Sequence, residues 1–249
     1  MNNLIQYIFG IADNALILGQ RLGELCGHGP NLETDIAMTN IALDLLGQTR
    51  SYYQYAAQLS GNDATEDTIA FLRNEREYKN VLLVEQPNTD FAYSIGRQFL
   101  YDQYHLLLLE ELQNSTDETL AAIAKKSIKE VRYHLRFSTD WVKRLGDGTE
   151  ESHDKMQNAI NDLWTFTDEL FHQTDADKAM VSEKIGVDVT QFKTQFYTNI
   201  KEVLHEATLD IPEMKYFQKG GKNGIHSEHM GYLLADLQYM QRTFPNMNW

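Results

Sequence analysis

The chain has 249 residues, of which 42% are hydrophobic and 23% are charged, a composition that is ordinary for a globular protein with a sizeable core. Its formal net charge of −14 argues against a general nucleic-acid binder, because binding to phosphates requires clustered lysine and arginine. The single cysteine, Cys26, excludes an internal disulfide and suits a reducing compartment. The first basic residue is Arg21, and no apolar run approaches the roughly 18 residues of a membrane span, so we expect a cytoplasmic protein without a secretory leader.

Two long helices are predicted at the start of the chain. Apolar residues recur at alternating intervals of four and three, the spacing of one helical face, first up to Gly27 and then from Asn31 to Gly61. The first stripe consists of Leu4, Ile8, Ile11, Ala15, Leu18, Leu22 and Leu25. The second consists of Ala37, Ile41, Leu45, Gln48, Tyr52, Tyr55 and Leu59. Polar Gln48 is therefore expected to point into the seam between helices.

Three further helices are predicted in the middle of the chain. A shorter one covers about residues 68–85 and ends before Pro87, since proline breaks helices. The next carries the acid Asp102 within a stripe that otherwise contains Ile95, Phe99, Leu106 and Leu109. The fifth covers about residues 116–145, with His134 on the flank of its stripe. That stripe consists of Ala124, Ile128, Val131, Leu135, Ser138, Val142 and Leu145.

The rest of the chain is also predicted to be helical. Helices are expected at about residues 152–171, 189–207 and 227–243, whereas residues 173–186 are polar and less regular. No linker rich in proline, glycine or serine divides the sequence. The first two helices form one pair and the fourth and fifth another, which is typical of a four-helix core built from two hairpins. We predict a single all-α domain over residues 1–249, a long-helix bundle with additional carboxyl-terminal helices.

Five segments, in the same order, resemble the PaaC family, which belongs to the multicomponent phenylacetyl-CoA epoxidases, and the likeness extends from about Leu4 to Trp249. They are residues 21–28 (RLGELCGH), 40–48 (NIALDLLGQ), 84–88 (VEQPN), 129–137 (KEVRYHLRF) and 220–229 (GGKNGIHSEH). The resemblance implies a ferritin-like fold and a role in phenylacetate catabolism. It also implies a hetero-oligomer with the PaaA-type catalytic di-iron subunit, the other epoxidase subunits and the reductase.

The resemblance also implies a degenerate di-iron site. Ferritin-like bundles hold two irons with a carboxylate from each of two helices and a Glu-x-x-His pair from each of the other two. When this sequence is aligned with the metal-binding motifs of the catalytic sister chain, the first Glu-x-x-His pair is replaced by a leucine and a glutamine. In the second pair a valine replaces the glutamate and the histidine is kept. The carboxylate of the fourth helix is also kept. These vestigial metal-site positions are Leu45, Gln48, Asp102, Val131 and His134. The counterpart on the first helix is either Gln20 or Ala15.

We therefore expect no catalytic residue, metal or other cofactor in this chain, with iron in the partner catalytic subunit. Leucine and valine have no lone pair to offer, and an amide is a poor substitute for imidazole as an iron ligand. The expected function is a structural subunit that supports PaaA in a monooxygenase complex without being its catalyst. Asp102 and His134 are expected to form a buried polar pair, hydrogen-bonded to each other or to Gln48.

Two other functions remain open from the sequence. A single-metal site built from Asp102, His134 and either His105 or Glu130 would make the chain a metal-dependent oxygenase with a rearranged site. An independent helical ligand-binding or iron-storage protein is the third hypothesis.

Lys215, Lys219 and Lys222 form a possible contact for an anion or a partner. They lie in a glycine-containing segment just before the last predicted helix, where ammonium groups could receive a CoA phosphate or acidic side chains of a partner. A solvated loop is the alternative.

Other candidate ligands are interpreted structurally. Glu24 and His28 are expected to belong to a helix end, and the tyrosines at positions 52, 53 and 55 to core or interface packing. His226 and His229 have a metal-like spacing, but a helix start capped by Ser227 is favoured.

Overall fold

The structure, a computed structural model, describes residues 2–61, 63–245 and 247, and these residues contain ten α-helices and no strand. The helices are α1 (Asn3–Gly23), α2 (Leu32–Ser60), α3 (Glu66–Phe71), α4 (Leu82–Glu85), α5 (Phe91–Leu112), α6 (Glu118–Gly146), α7 (Glu150–Leu163), α8 (Asp175–Ser182), α9 (Lys193–Glu206) and α10 (Glu228–Thr243). The predicted all-α, ferritin-like bundle is confirmed. None of the helices in the described ranges combines the length and the apolarity that crossing a bilayer requires.

The core is formed by four long helices. α1 packs along α2 and α5 packs along α6, while contacts between α2 and α6 join the two pairs. α7 and α9 cover α5 and α6, and α8 lies against α1. Most of the predicted stripe residues are buried in this core: Ile8, Ile11, Ala15, Leu18, Leu22, Ile41, Leu45, Gln48, Tyr52, Ile95, Phe99, Asp102, Leu109, Ala124, Ile128, Val131, Ser138 and Val142.

Side-chain caps fix where the long helices begin. The side chain of Asn31 accepts a hydrogen bond from the main chain of Thr34 at the start of α2, and Asp117 does the same for Leu120 at the start of α6. Such caps satisfy main-chain N–H groups that have no partner within the helix. The two helices run antiparallel, and the Tyr55 hydroxyl of α2 donates a hydrogen bond to Asp117, the capping residue of α6, over 2.5 Å.

The single helix predicted for residues 68–85 is wrong. The chain forms α3, a 3-10 turn and an extended stretch before the short α4. In the extended stretch the main-chain N–H of Lys79 donates to Asp13 over 2.7 Å, and that of Val81 donates to Asn14 over 2.8 Å. Side chains of α1 therefore take the hydrogen bonds that a continuous helix would make internally.

The carboxyl-terminal predictions need smaller corrections. The helix predicted for residues 152–171 ends as α-helix at Leu163 and continues as two 3-10 turns, and the one predicted for residues 189–207 begins at Lys193. α8 lies within the segment predicted to be irregular. Its start is fixed by Thr174 and Asp177, each of which binds the main-chain N–H of the other with its side chain.

A buried ion pair joins α1 to the segment between α3 and α4. Asp13 is fully buried, and the Arg73 guanidinium binds both of its carboxylate oxygens, over 2.7 and 3.0 Å. The hydroxyl of Tyr53 on α2 donates to the same carboxylate over 2.5 Å. The guanidinium also lies 4.1 Å from the centre of the Tyr78 ring, a cation–π distance. These contacts hold the segment against both helices of the first pair.

We predict that Asp13→Ala destabilises the protein strongly, because it leaves the Arg73 guanidinium buried without its counter-charge. Breaking a buried pair in this way costs about 3–5 kcal/mol, measurable by urea unfolding followed by circular dichroism. Asp236→Ala, at an exposed position of α10, is the control and should change the unfolding free energy little. A loss below about 1 kcal/mol for Asp13→Ala would mean that the ion pair does not hold the segment in place.

Candidate functional site at the centre of the bundle

Two aliphatic side chains occupy the centre of the four-helix core. Leu45 on α2 and Val131 on α6 are both 0% exposed. α1 passes close to Leu45, since a Cβ added at Gly19 would lie 3.3 Å from the Leu45 Cβ. Both side chains are packed on all sides, and neither carries a donor atom for a metal.

Gln48 lies one turn beyond Leu45 and also points inward. It is 3% exposed, and its Nε2 donates to the Glu130 carboxylate of α6 over 2.9 Å. Its Oε1 is buried and has no hydrogen-bond partner among the described residues. The amide therefore links α2 to α6 through Glu130.

Asp102 on α5 is the buried acid of the centre. Its Oδ1 accepts a hydrogen bond from Gln98 Nε2 over 2.6 Å, and its Oδ2 accepts one from Ser138 Oγ over 2.8 Å. Complete burial raises the pKa of Asp102 to about 7, against the opposing effects of the His134 charge and of the two hydrogen bonds. The carboxyl group thus titrates near neutral pH while both of its oxygens are held by neutral donors.

His134 has a different partner from the expected one. The ring is fully buried, and its Nε2 lies 3.0 Å from Oδ2 of Asp44, whose side chain is 38% exposed. The prediction that Asp102 and His134 bond to each other or to Gln48 is therefore wrong. Ser138, one turn beyond His134 on α6, binds the Asp102 carboxylate instead.

Asp44 lies at the rim of the centre, and its part in binding His134 was not predicted from the sequence. It directly precedes Leu45 and lies four residues before Gln48, so both polar side chains reach towards α6 from adjacent turns of α2. That spacing was a usable signal. The resemblance to metal-binding motifs predicts Leu45 and Gln48 as site positions on this helix, and does not include Asp44.

The alternative single-metal site would need Asp102, His134 and either His105 or Glu130 to come together, and among the described residues they do not form a three-ligand group. His105 is fully buried, and both of its ring nitrogens have no hydrogen-bond partner among the described residues. Burial, with a smaller contribution from the charge of His134, lowers the pKa of His105 to about 3, so its ring is neutral. Within the described ranges, no three His, Cys, Asp or Glu side chains come close enough together to hold a metal ion. The donors present therefore do not fit one metal ion, and still less a pair of irons.

The first helix adds no free carboxylate to the centre. Ala15 is buried, Gln20 is half-buried, and the buried acid of α1, Asp13, is bound by Arg73. The choice between Gln20 and Ala15 as the lost ligand position stays a prediction.

The three-lysine contact needs a correction. Lys222 is buried, and its ammonium donates to the main-chain carbonyls of Leu170 and His172, over 3.3 and 2.7 Å. These bonds tie the loop that contains Lys222 to the main chain of residues 170–172. Lys215 and Lys219 are exposed and line a groove of about 440 Å³ beside His172. The burial of Lys222 depends on the tertiary fold and could not be predicted from the local sequence.

Both ring nitrogens of His226 already face acceptors of this chain. His226 Nδ1 lies 2.9 Å from the Glu85 carboxylate, and its Nε2 lies 3.1 Å from the Tyr78 carbonyl. An acceptor at each ring nitrogen favours the protonated form of His226, in which both nitrogens donate. Burial alone would lower the pKa of His226, but the hydrogen bond and charge of Glu85 outweigh it and raise that pKa. Ser227 does occupy the N-cap position of α10, but without a hydrogen bond from its side chain.

The remaining sequence candidates have structural roles, as expected. Glu24 pairs with Arg21 over 3.0 Å, and His28 Nδ1 lies 3.2 Å from the Cys26 carbonyl, in the turn that follows α1. Gly27 in that turn has a φ of 83°, which favours glycine. The tyrosines at positions 52 and 53 are buried in the core, and that at position 55 is half-buried.

Comparisons with known proteins cover the whole chain. The family described as phenylacetic acid catabolic protein matches residues 1–249. The C component of the 1,2-phenylacetyl-CoA epoxidase of Escherichia coli (strain K12) is 50% identical over 249 residues, which is 100% of each chain. The match therefore includes every residue of the centre described above.

We predict that Asp102→Asn makes the stability of the protein less dependent on pH. The pKa of Asp102 is raised on folding, so the folded state holds the proton more tightly and wild-type stability falls as pH rises from about 4 to about 7. Asparagine cannot ionise, and it can still bond to Gln98 and Ser138. The difference in unfolding free energy between the variant and the wild type, measured by urea unfolding, should be roughly 2 kcal/mol more favourable to the variant at pH 8 than at pH 5.

The control is Asp154→Asn, at an exposed position of α7. It should leave the pH dependence as it is in the wild type. Equal gains at the two pH values for Asp102→Asn would show that this carboxyl group titrates normally.

Proposed function

The chain belongs to the family of phenylacetic acid catabolic proteins, and from that membership we propose that it is a non-catalytic, structural subunit of a 1,2-phenylacetyl-CoA epoxidase. We propose that it packs against a PaaA-type di-iron subunit and supports it in a working form, in a complex with the other epoxidase subunits and the reductase. The full-length identity of 50% to a protein named as the C component of such an enzyme supports this proposal.

The burial of Leu45 and Val131 carries the non-catalytic part of the proposal. A ferritin-like di-iron site needs carboxylates at the centre of the bundle, both to neutralise the cations and to bridge them. In this chain the two central side chains are aliphatic and 0% exposed. They leave neither donor atoms nor space for a ligand at those positions.

Asp102, Gln48 and His134 each have a hydrogen-bond partner within the protein. Asp102 accepts from two side chains, and Gln48 is bound to Glu130. His134 is bound to Asp44. A metal would have to displace these partners and would find no set of three charged or imidazole donors among the described residues. This supports a chain without a cofactor of its own.

The bundle is expected to be stable without a metal at its centre. Two carboxylates at positions 45 and 131 would bury like charges next to Asp102, which is costly unless cations neutralise them. Aliphatic side chains remove that repulsion and add core packing. The ancestral shape can thus be kept for assembly while chemistry takes place in another subunit.

Lys215 and Lys219 form a secondary part of the proposal. Their ammonium groups are exposed beside a groove of about 440 Å³ in a chain that is otherwise strongly acidic. We propose that they contact an anion, either a CoA phosphate or acidic side chains of a partner.

Reconstitution of the epoxidase from separately purified subunits tests the proposal. We predict that Asp102→Asn and Glu130→Gln in this chain leave product formation within about threefold of the wild type, because removing a true catalytic acid or base costs about 100-fold or more. Omitting this chain altogether should abolish turnover. Epoxide product and NADPH consumption are the readouts.

Size-exclusion chromatography provides the control, since each variant must co-elute with the di-iron subunit. A fully assembled complex that is inactive with Asp102→Asn would favour the rearranged oxygenase. A wild-type chain that never co-elutes with the di-iron subunit would contradict the structural role.

A further inference from the structure

A cavity lies between α1, α5 and the segment around α8, and none of the vestigial metal-site positions lines it. Its volume is about 280 Å³. A cavity of about 150 Å³ can hold a benzene molecule, so this one has room for one ring with a short polar arm. It lies just below the range of about 300–1,000 Å³ that is typical of sites for drug-sized ligands, and it cannot enclose a coenzyme A thioester.

One part of the cavity wall is apolar and aromatic. The buried side chains of Tyr7 on α1 and Tyr104 on α5 line it, and aromatic rings of this kind pack favourably against a further ring. The Tyr7 hydroxyl accepts a hydrogen bond from the main-chain N–H of Val187 over 3.0 Å, which leaves its own O–H as a donor. The aliphatic side chains of this part of the wall are also buried: Ile11, Leu108, Val187 and Val189.

Gly10 leaves room in the cavity. It lies inside α1 on the face that also carries Tyr7 and Ile11, and all three residues line the cavity. A Cβ added at Gly10 would meet no atom of the described residues within 4 Å. Glycine is among the weakest helix formers, so neither helix formation nor packing within the chain accounts for glycine at this position. A side chain here would enter the cavity, and its absence supports a site in which that space is used.

Lys222 contributes a buried ammonium to the same cavity. It is 8% exposed and lines the wall, and among the described residues no carboxylate lies within ion-pair distance of it. Burial lowers the pKa of Lys222, against the opposing effects of the Asp177 and Glu169 charges. An ammonium has three donors, and the carbonyls of residues 170 and 172 take two of them. A buried cation with a donor to spare favours an anionic ligand.

The two acids of the wall leave this preference in place. Asp175 is fully exposed and pairs with Lys178 over 3.8 Å. Asp177 is occupied by the N-cap of α8, because its carboxylate accepts a main-chain N–H over 2.8 Å. Lys79 and Lys222 balance the charges of these two acids, so the wall is formally neutral. The buried charge among the four is that of Lys222.

We propose that this cavity binds a small aromatic carboxylate. The carboxylate of the ligand binds the ammonium of Lys222 and the hydroxyl of Tyr7, and its ring packs against Tyr104 and Leu108. The inference does not depend on the structural role proposed above, since it concerns a ligand site within this chain and requires no partner.

A neutral aromatic molecule is a poorer occupant. It would fill the apolar part of the wall equally well, but it would leave the Lys222 ammonium without a counter-charge in a place that water reaches poorly. Hydrogen bonds between an ammonium and a carboxylate are roughly twice as strong as those between neutral groups. The charge of the ligand should therefore decide its affinity.

Titration of the isolated full-length chain tests the site. The probe is phenylacetate, which has one ring and a carboxylate on a one-carbon arm, and 2-phenylethanol is its neutral counterpart. We predict that phenylacetate binds with a Kd of about 1 mM or below and that 2-phenylethanol binds at least about tenfold more weakly. Saturation-transfer NMR near neutral pH measures both affinities.

Gly10→Leu fills the cavity without removing a side chain. Leucine is a better helix former than glycine, so the melting temperature should stay the same or rise by roughly 2–4 °C. Binding of phenylacetate should fall by about tenfold or more, because the leucine occupies the space of the ring. Gly47→Leu is the matched control and should bind like wild type, since Gly47 also lies inside a long helix and a Cβ there meets nothing within 4 Å.

Lys222→Met tests the charge. Methionine has no ammonium, so the preference for phenylacetate over 2-phenylethanol should disappear in this variant. A general disturbance of the loop would weaken both ligands alike, and the comparison within one variant therefore isolates the charge. Lys215→Met, at an exposed lysine of the neighbouring segment, is the control and should keep the preference.

Three results would overturn the inference. They are no saturable binding of phenylacetate to the wild type up to about 10 mM, equal affinities for phenylacetate and 2-phenylethanol, and unchanged binding of phenylacetate by Gly10→Leu. None of them bears on the structural role, which the reconstitution experiment tests.

Discussion

The packing of two aliphatic side chains, Leu45 and Val131, at the centre of the bundle constrains the rest of the structure. With Leu45 and Val131 fully buried, the two central positions offer no metal ligand, and the carboxylates near them are bound by side chains of the protein. Asp102 is held by neutral donors from its own helix and from α6, and its raised pKa lets it become neutral near physiological pH. The same constraint explains why His134 reaches outward to Asp44 at the rim of the core. The centre joins the helices through these contacts, and Leu45 and Val131 contribute no donor atom to it.

The interior and the exterior of α2 support the same conclusion. Its inner face carries the packed centre, whereas its outer face exposes four aliphatic side chains, those of Leu32, Ile36, Leu43 and Leu46. A chain specialised for catalysis would be expected to reserve polar groups for its core, and a free-standing protein would not expose four large aliphatic side chains on one helix face. A protein that assembles with another chain accounts for both features. Assembly would also cover the surface that is least favourable in water.

Much of the fold could be predicted from the sequence, because long amphipathic helices are a local property. The stripes of α1, α2, α5 and α6 follow the helical period, and the caps at Asn31 and Asp117 are visible as residue types. Hydrogen-bond partners could not be predicted in the same way. Residues 68–85 lose their helix to side chains of α1 that are more than 60 positions away in the sequence. Lys222 is buried against residues 170–172, and Asp102 accepts a hydrogen bond from Ser138 on a different helix. Such choices depend on tertiary packing.

Anomalous X-ray diffraction at the iron absorption edge, on crystals of this chain bound to the di-iron subunit, tests the central claim most directly. The account predicts strong iron peaks in the catalytic partner and no peak in the core of this chain, where the side chains of Leu45 and Val131 should be packed as they are in the isolated bundle. An iron peak coordinated by Asp102 and His134 of this chain, at an occupancy similar to that in the partner, would contradict it.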